Sequence, residues 1–191
     1  MNRTVTSFFD KEYLEYAKYV VENRAIPSCI DGLKPTQRKV VYIANKIWKT
    51  GNEKPMKLFQ LAGRVAAEAF YHHGNTSLES SMVGMAQKFK NSLPLLEGIG
   101  QFGSLRSPAA GAPRYISAKL HPNFRLLYQD FELLDNKIEE GEKIEPEYFL
   151  PIVPTVILNG TSGIAVGFAT NILNRNPMDV VNACIAEVNG R

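Results

Sequence analysis

The chain has 191 residues, 45% of them hydrophobic, enough to fill the core of one good-sized domain or of a domain and part of a second. Its 22 basic and 19 acidic side chains leave a net charge of +3, too mild to identify a nucleic-acid partner alone. The longest apolar runs are broken by Pro151, Pro154 and Gly167 and fall well short of the roughly 20 residues of a membrane span. The N-terminus lacks the layout of a secretory signal, so the expected place is the cytoplasm, or wherever a genome is replicated.

Taken in order, residues 10–24 place Tyr13, Tyr16, Ala17, Val20 and Arg24 at helical spacing, which predicts a first helix ending before Pro27. Pro35 opens a second, with Val40, Ala44 and Ile47 on one stripe and Gly51 as its stop. A third is expected from about Met56 to Tyr71, with Leu58, Leu61, Ala62, Val65 and Ala69 inward. After the tight connection His72-His73-Gly74, T-S-L-E predicts a capping box between Thr76 and Glu79 on a fourth helix, with Leu78, Met82, Met85 and Phe89 as its inner stripe. Two helices joined by a short Gly-containing turn form a helix-turn-helix candidate, and the Gly, Pro and Ser texture of residues 90–125 reads as a hairpin wing. Residues 130–147 predict an acidic surface segment, residues 155–158 a β-rich run, and Pro177 starts a last helix with Val181, Cys184 and Val188 on one side.

Charge is unevenly spread. Residues 24–64 carry 9 basic side chains against Asp31 and Glu53, whereas residues 130–147 carry 8 acidic ones against Lys137 and Lys143. One face can meet an anion while another stays in solvent, although two ordinary solvated faces would give the same counts. Cys29 and Cys184 lack any metal or redox spacing and read as buried or incidental thiols.

Gly98-Ile99-Gly100-Gln101-Phe102-Gly103 matches the dinucleotide fingerprint in letters only, because Pro108, Gly111 and Pro113 forbid the helix that must follow. A nucleotide-dependent oxidoreductase therefore rests on nothing else. Asp130 and Glu132 share one strand face and could hold magnesium, but a solvated loop is the commoner outcome. His72 and His73 are adjacent, so both cannot face one metal from a helix; a packed or capping role competes with a phosphate contact. Arg114-Tyr115 is the most informative pair. A phenol with a pKa of about 10 is a poor nucleophile, and a neighbouring guanidinium favours its ionised form and stabilises a phosphorus under attack. On residue type alone, a tyrosine packed on the sheet is the commoner outcome.

Four blocks then resemble, in order and spacing, the breakage-reunion subunits of type II DNA topoisomerases: residues 24–42 (RAIPSCIDGLKPTQRKVVY), 71–89 (YHHGNTSLESSMVGMAQKF), 98–115 (GIGQFGSLRSPAAGAPRY) and 150–177 (LPIVPTVILNGTSGIAVGFATNILNRNP). The resemblance implies that Tyr115 forms the covalent link to DNA, beside Arg114, with His73 near the scissile phosphate. It implies that Arg24, Lys34 and Arg38 line the DNA path, and that Ile164 wedges between base pairs; the residues alone would make Ile164 an ordinary core side chain. Tyr71 stands where gyrases carry a further histidine, so that histidine's role does not transfer.

The expected fold is α+β: an N-terminal helical arm over residues 1–30, a winged-helix domain over 31–150, and the start of a second α/β domain over 151–191. The expected function is DNA cleavage and religation within an ATP-dependent topoisomerase, and a non-catalytic winged-helix DNA-binding module is the alternative. By resemblance, Mg2+ and ATP are bound by partner subunits or domains, a second copy of the chain is required, and the chain is a fragment of a longer one. Double-stranded DNA is the expected substrate.

Overall fold

In the computed structural model, which describes residues 5–50, 54–130 and 133–190, α1 (Val5–Phe8) and α2 (Leu14–Val20) alternate with π-helical segments at Phe9–Tyr13 and Val21–Ala25. The predicted first helix is thus part of a longer helical arm. Tyr13 and Tyr16 do not pack inward on it; they are exposed with Val5, Phe8, Phe9, Leu14 and Tyr19, while Val20 and Ala25 are buried.

α3 (Pro35–Ile47) starts at a proline that has no N–H to lose, and Gln37 Oε1 accepts from Lys34 N–H at 2.9 Å. It buries Val40, Val41, Ile43 and Ala44 and packs on α4 (Leu58–Glu68) and α5 (Asn75–Ala86). The inner stripe of α4 is the predicted one: Leu58, Leu61, Ala62, Val65 and Ala69 are all 0% exposed. α4 is shorter than predicted because Met56 and Lys57 form strand β1, paired with Ala118 and Ser117. The capping box does not form. Gly74 is the N-cap of α5 with no side-chain cap, and Thr76 lies already inside the helix, too late to serve.

β2 (Leu96–Ile99) and β3 (Ser117–Leu120) pair antiparallel, and β1 adds to the other edge of β3, giving the order β1-β3-β2. α6 (Pro122–Leu127) follows, capped by His121 Nδ1, which accepts from Asn123 N–H at 3.1 Å. The acidic stretch departs from expectation: β4 (Asn136–Glu139) and β5 (Glu142–Pro146) form a hairpin turned at Glu140 and Gly141, whose φ values are 51° and 85°. Positive φ at both centres is the turn geometry that suits strand twist. Glu145 is 2% exposed and lies 3.1 Å from Lys39 of α3, so neutralisation comes from far along the chain. Phe131 and Glu132, which belong to the carboxylate motif considered for magnesium, lie outside the described residues, as does Gly51.

The β-rich run at 155–158 is helical, within α7 (Thr155–Asn159): Thr155 Oγ1 donates to Asp31 O at 2.7 Å, and this tertiary bond outweighs the strand preference of Thr155, Val156 and Ile157. β6 (Thr161–Ile164) and β7 (Ala169–Ile172) form a second hairpin. On α8 (Pro177–Val188) Val180 is buried, Val181 and Cys184 of the predicted face are half-buried, and Val188, the third predicted member, is 88% exposed. Cys29 is exposed, not buried.

These elements meet at Asp31, which is 0% exposed. Its Oδ2 accepts from Arg38 Nε at 2.6 Å and Phe149 N–H at 3.1 Å; its Oδ1 accepts from Arg38 Nη2 and Leu33 N–H, both at 2.9 Å. The carbonyl of Asp31 accepts from Thr155 Oγ1 and from Tyr128 Oη at 2.9 Å. Burial pushes the Tyr128 phenol well above its usual range, so it stays protonated and donates. Removing one member of a buried pair leaves the other uncompensated. Asp31→Ala is therefore expected to lower unfolding free energy by about 3–5 kcal/mol in a denaturant titration, and Tyr128→Phe by about 1 kcal/mol.

A second prediction concerns pH. The His121 cap needs an unprotonated Nδ1, and burial holds this imidazole below its usual range. Its folded pKa lies below the unfolded value, so the native state prefers neutral histidine. The stabilisation is present above the unfolded pKa of about 6.5 and is lost as pH falls through the folded value. Stability measured from pH 7.5 to 5 should therefore fall with a slope that His121→Asn, a cap that does not titrate there, reduces.

Candidate active site

After β2 the chain enters no helix, as a dinucleotide fingerprint would require, but a loop over residues 100–116. Gly103 has φ +83°, and a Cβ there would lie 2.6 Å from Pro108 O, so only glycine lets the loop fold back on itself. Gln87, 2% exposed just past α5, donates from Nε2 to Phe102 O at 2.8 Å and to Pro108 O at 3.0 Å. Gly111 N–H closes the base onto Gln101 O at 2.8 Å.

The far limb of the loop docks on the start of α4. Leu58 N–H donates to Ile116 O at 3.1 Å and Phe59 N–H to Pro113 O at 3.4 Å, so first-turn donors that no helix can satisfy internally hold the loop. Lys57 Nζ donates to Tyr115 O at 2.8 Å, and Ile116 is buried beside it. On this fixed main chain the Tyr115 side chain is 73% exposed, and Arg114 is exposed too. The phenol is not packed on the sheet; it is offered to solvent from a pinned backbone.

His73 lies at the opposite end of α4, in the turn to α5, with its ring edge against Tyr71 at 5.3 Å between centroids. Tyr71 Oη in turn donates to Ser77 Oγ at 3.2 Å. α4 has 11 residues, a length of about 16 Å, so one chain places Tyr115 and His73 at separate ends of a rigid element. His72 Nε2 lies 2.9 Å from Glu139 Oε1.

A third group forms where the arm meets the β6–β7 hairpin. Lys34 Nζ donates to Ser162 O at 2.7 Å, and burial lowers its pKa from the ordinary lysine value. A Cβ on Gly163 would lie 2.2 Å from Ala25 O, so the hairpin reaches the end of the arm only because residue 163 is glycine. Arg24 is exposed beside this junction, and Ile164 stands 86% exposed on it. Ile164 is thus not the core residue that its side chain alone would imply. Arg38 needs correction: it is 4% exposed and its guanidinium is committed to Asp31 and Leu33 O, which leaves it no face for a DNA phosphate.

Three residues that contact the loop or the histidine turn carry little signal in the sequence. Gln87 is one polar residue at the end of the predicted fourth helix, and only its burial reveals that it ties down the loop. Lys57 is merely one charge in a basic window, and Glu139 one of many carboxylates. The signal is weak in each case because each acts on a group distant in sequence.

The family model of the DNA gyrase/topoisomerase IV A subunit matches residues 24–191. The DNA topoisomerase medium subunit of enterobacteria phage T4 is 44% identical over 190 residues, covering 100% of this chain and 42% of that protein. The compact layout of the motifs likewise resembles a T-even phage medium subunit. The mitochondrial DNA topoisomerase 2 of Dictyostelium discoideum is 42% identical over 195 residues, 98% of this chain but 15% of that protein. The crystal structure of the Plasmodium falciparum topoisomerase II DNA-binding, cleavage and re-ligation domain superposes with a TM-score of 0.84 at 37% identity, covering 97% of this chain and 26% of that one. The chain therefore spans less than half the length of these relatives, and by fold, by sequence and by the order of its motifs it belongs to the family of DNA gyrase/topoisomerase IV A subunits.

Proposed function

We propose that this chain is the DNA cleavage and religation part of an ATP-dependent type II topoisomerase, with Tyr115 as the nucleophile. The observation that carries the reading is the exposed phenol beside Arg114 on a main chain fixed by Leu58, Phe59 and Lys57. α4 and α5 with the turn between them are read as a helix-turn-helix, and the sheet β1-β3-β2 with its loop as the wing. Residues 1–30 then form an arm, 31–150 the winged-helix domain and 151–191 the start of a second domain.

In the reaction, Tyr115 Oη gives up its proton and attacks a phosphorus of the DNA backbone. A P–Oη bond forms as the P–O3′ bond breaks, and the 3′ oxygen leaves with a proton, so the 5′ end is held on the protein. Because the phosphodiester is exchanged and not hydrolysed, attack by the 3′ hydroxyl reverses the step and reseals the strand. The Arg114 guanidinium offsets the extra charge on the phosphoryl oxygens as they form. Arg24 and Lys34 are read as phosphate contacts, which supply most of the affinity for duplex DNA. Ile164, apolar and exposed on a hairpin braced by Lys34, fits a wedge that unstacks one base step and bends the duplex.

Magnesium is placed outside this chain by the family resemblance. It is assigned, with ATP, to partner subunits or domains, and no step carried by this chain passes through either. The placing of Tyr115 and His73 at opposite ends of α4 supports a site shared between two copies, with the histidine turn of one facing the tyrosine of the other. The exposed apolar side chains of the arm, Val5, Phe8, Phe9 and Leu14 among them, support a covering partner. No helix among the described residues is long and apolar enough to cross a membrane.

The nucleophile is tested by assembling each variant with partner subunits, adding labelled DNA and magnesium, and denaturing. Wild type should yield labelled protein, Tyr115→Phe none, and Arg114→Ala a yield reduced roughly 10²–10³-fold in rate, by analogy with deleted oxyanion donors. DNA binding should survive in both. Labelling that persists in Tyr115→Phe would mean another nucleophile, and none from wild type would favour a non-catalytic DNA-binding module.

The shared site has its own test. Mixing Tyr115→Phe chains with His73→Ala chains should restore labelling on one strand above either parent, because one of the two composite sites is then intact. Mixtures no better than the His73→Ala parent would place both residues in one copy's site.

A further inference from the structure

The β4–β5 hairpin carries the densest acidic sequence of the chain, and it touches the histidine turn. Glu139 Oε1 lies 2.9 Å from His72 Nε2, and Glu139 Oε2 lies 3.7 Å from Lys39 Nζ. The same ammonium lies 3.1 Å from buried Glu145 and donates to Ala69 O, the carbonyl of the C-cap residue of α4. Lys39 thus ties the hairpin and the end of α4 to α3. The next residue, Phe70, has φ 49°, a left-handed conformation that a bulky side chain adopts only when its surroundings hold it. From there the chain runs directly into Tyr71, His72 and His73, around a cleft of about 270 Å³ that Glu139, Glu145 and Lys137 also line.

The His72–Glu139 contact is too exposed to add much stability: 66% of the His72 side chain and 33% of that of Glu139 is accessible. Its geometry is nonetheless well supported, because Glu139 stands on a hairpin anchored by the nearly buried Lys39–Glu145 pair. The hydrogen bond from His72 holds the Glu139 carboxyl below the usual carboxylate range, so it remains an ionised acceptor near neutral pH.

We infer that Glu139 is a positioning residue for DNA cleavage: by accepting a hydrogen bond from His72 it fixes the turn after Phe70, and with it the direction in which His73 is presented. The inference rests on the reading of His73 as part of the cleavage site. Hydrogen-bond acceptance, not charge, is what the turn needs, since a neutral amide oxygen at the same place can receive the His72 N–H.

The test uses the enzyme assembled with its partner subunits and follows the rate of covalent DNA attachment, DNA affinity and melting temperature. Glu139→Ala should slow attachment roughly tenfold, as loss of orientation does, with affinity and melting temperature nearly unchanged. Glu139→Gln should recover most of the rate. In a His73→Ala background, Glu139→Ala should cost nothing further, because the residue through which it acts is gone. In NMR spectra of the chain alone, the His73 ring signals should move in Glu139→Ala and return in Glu139→Gln. The inference is overturned by a wild-type rate in Glu139→Ala, by an equal loss in both backgrounds, by failure of Glu139→Gln to recover, or by unmoved His73 signals. Absence of attachment by the wild-type assembly would instead overturn the Tyr115 reading, and this inference with it.

Discussion

A carboxylate removed from water must have its lone pairs filled or the fold loses several kilocalories per mole, and Asp31 is filled on every side. Arg38 meets it in a forked, two-bond contact, while the N–H groups of Leu33 and Phe149 take the remaining positions. Its own carbonyl receives the hydroxyls of Tyr128 and Thr155. These bonds join the segment after the arm, α3, the end of α6, the residues before α7 and α7 itself. Every group proposed to meet DNA is carried on an element that this junction or the core around it locates.

The same design recurs at each proposed contact: a main chain held tightly, a side chain left free. Tyr115 projects from a loop whose carbonyls are bonded to the first turn of α4, and Ile164 from a hairpin whose glycine lies against the arm. Side chains on such supports need little reordering when a phosphate or a base step arrives, which is what fast, reversible chemistry on a large substrate requires. The histidine turn differs. It follows a left-handed Phe70 and relies on side chains, Lys39 and Glu139 among them, for its orientation.

Family membership and the separate placing of the functional groups support one picture. A chain that spans 42% of the phage medium subunit carries the proposed nucleophile and the proposed wedge on exposed side chains, but sets its tyrosine and its histidine turn at two ends of one helix. In the proposed enzyme a break in both strands needs two such chains. A site completed only on assembly would also keep a lone subunit from breaking DNA.

The helices α3, α4 and α5 were legible from their 3.6-residue periodicity, with the buried stripe of α4 complete and that of α5 correct up to Met85, Phe89 lying beyond the helix, because burial of one helix face imposes a pattern that local reading detects. The four motif blocks likewise identified the family, since their order and spacing survive in the linear chain, and they single out Tyr115 as the proposed nucleophile. The rest depends on contacts between segments distant in the chain. The acidic stretch is a hairpin because Lys39, about a hundred residues earlier, neutralises Glu145, and residues 155–159 are helical where Thr155 bonds to Asp31. Arg38, basic and within a motif of the family, is an interior residue, whereas Ile164, apolar, stands in solvent. Residue type records what a side chain can do; its partners are set by contacts between segments far apart in sequence, and those exist only once the chain has folded.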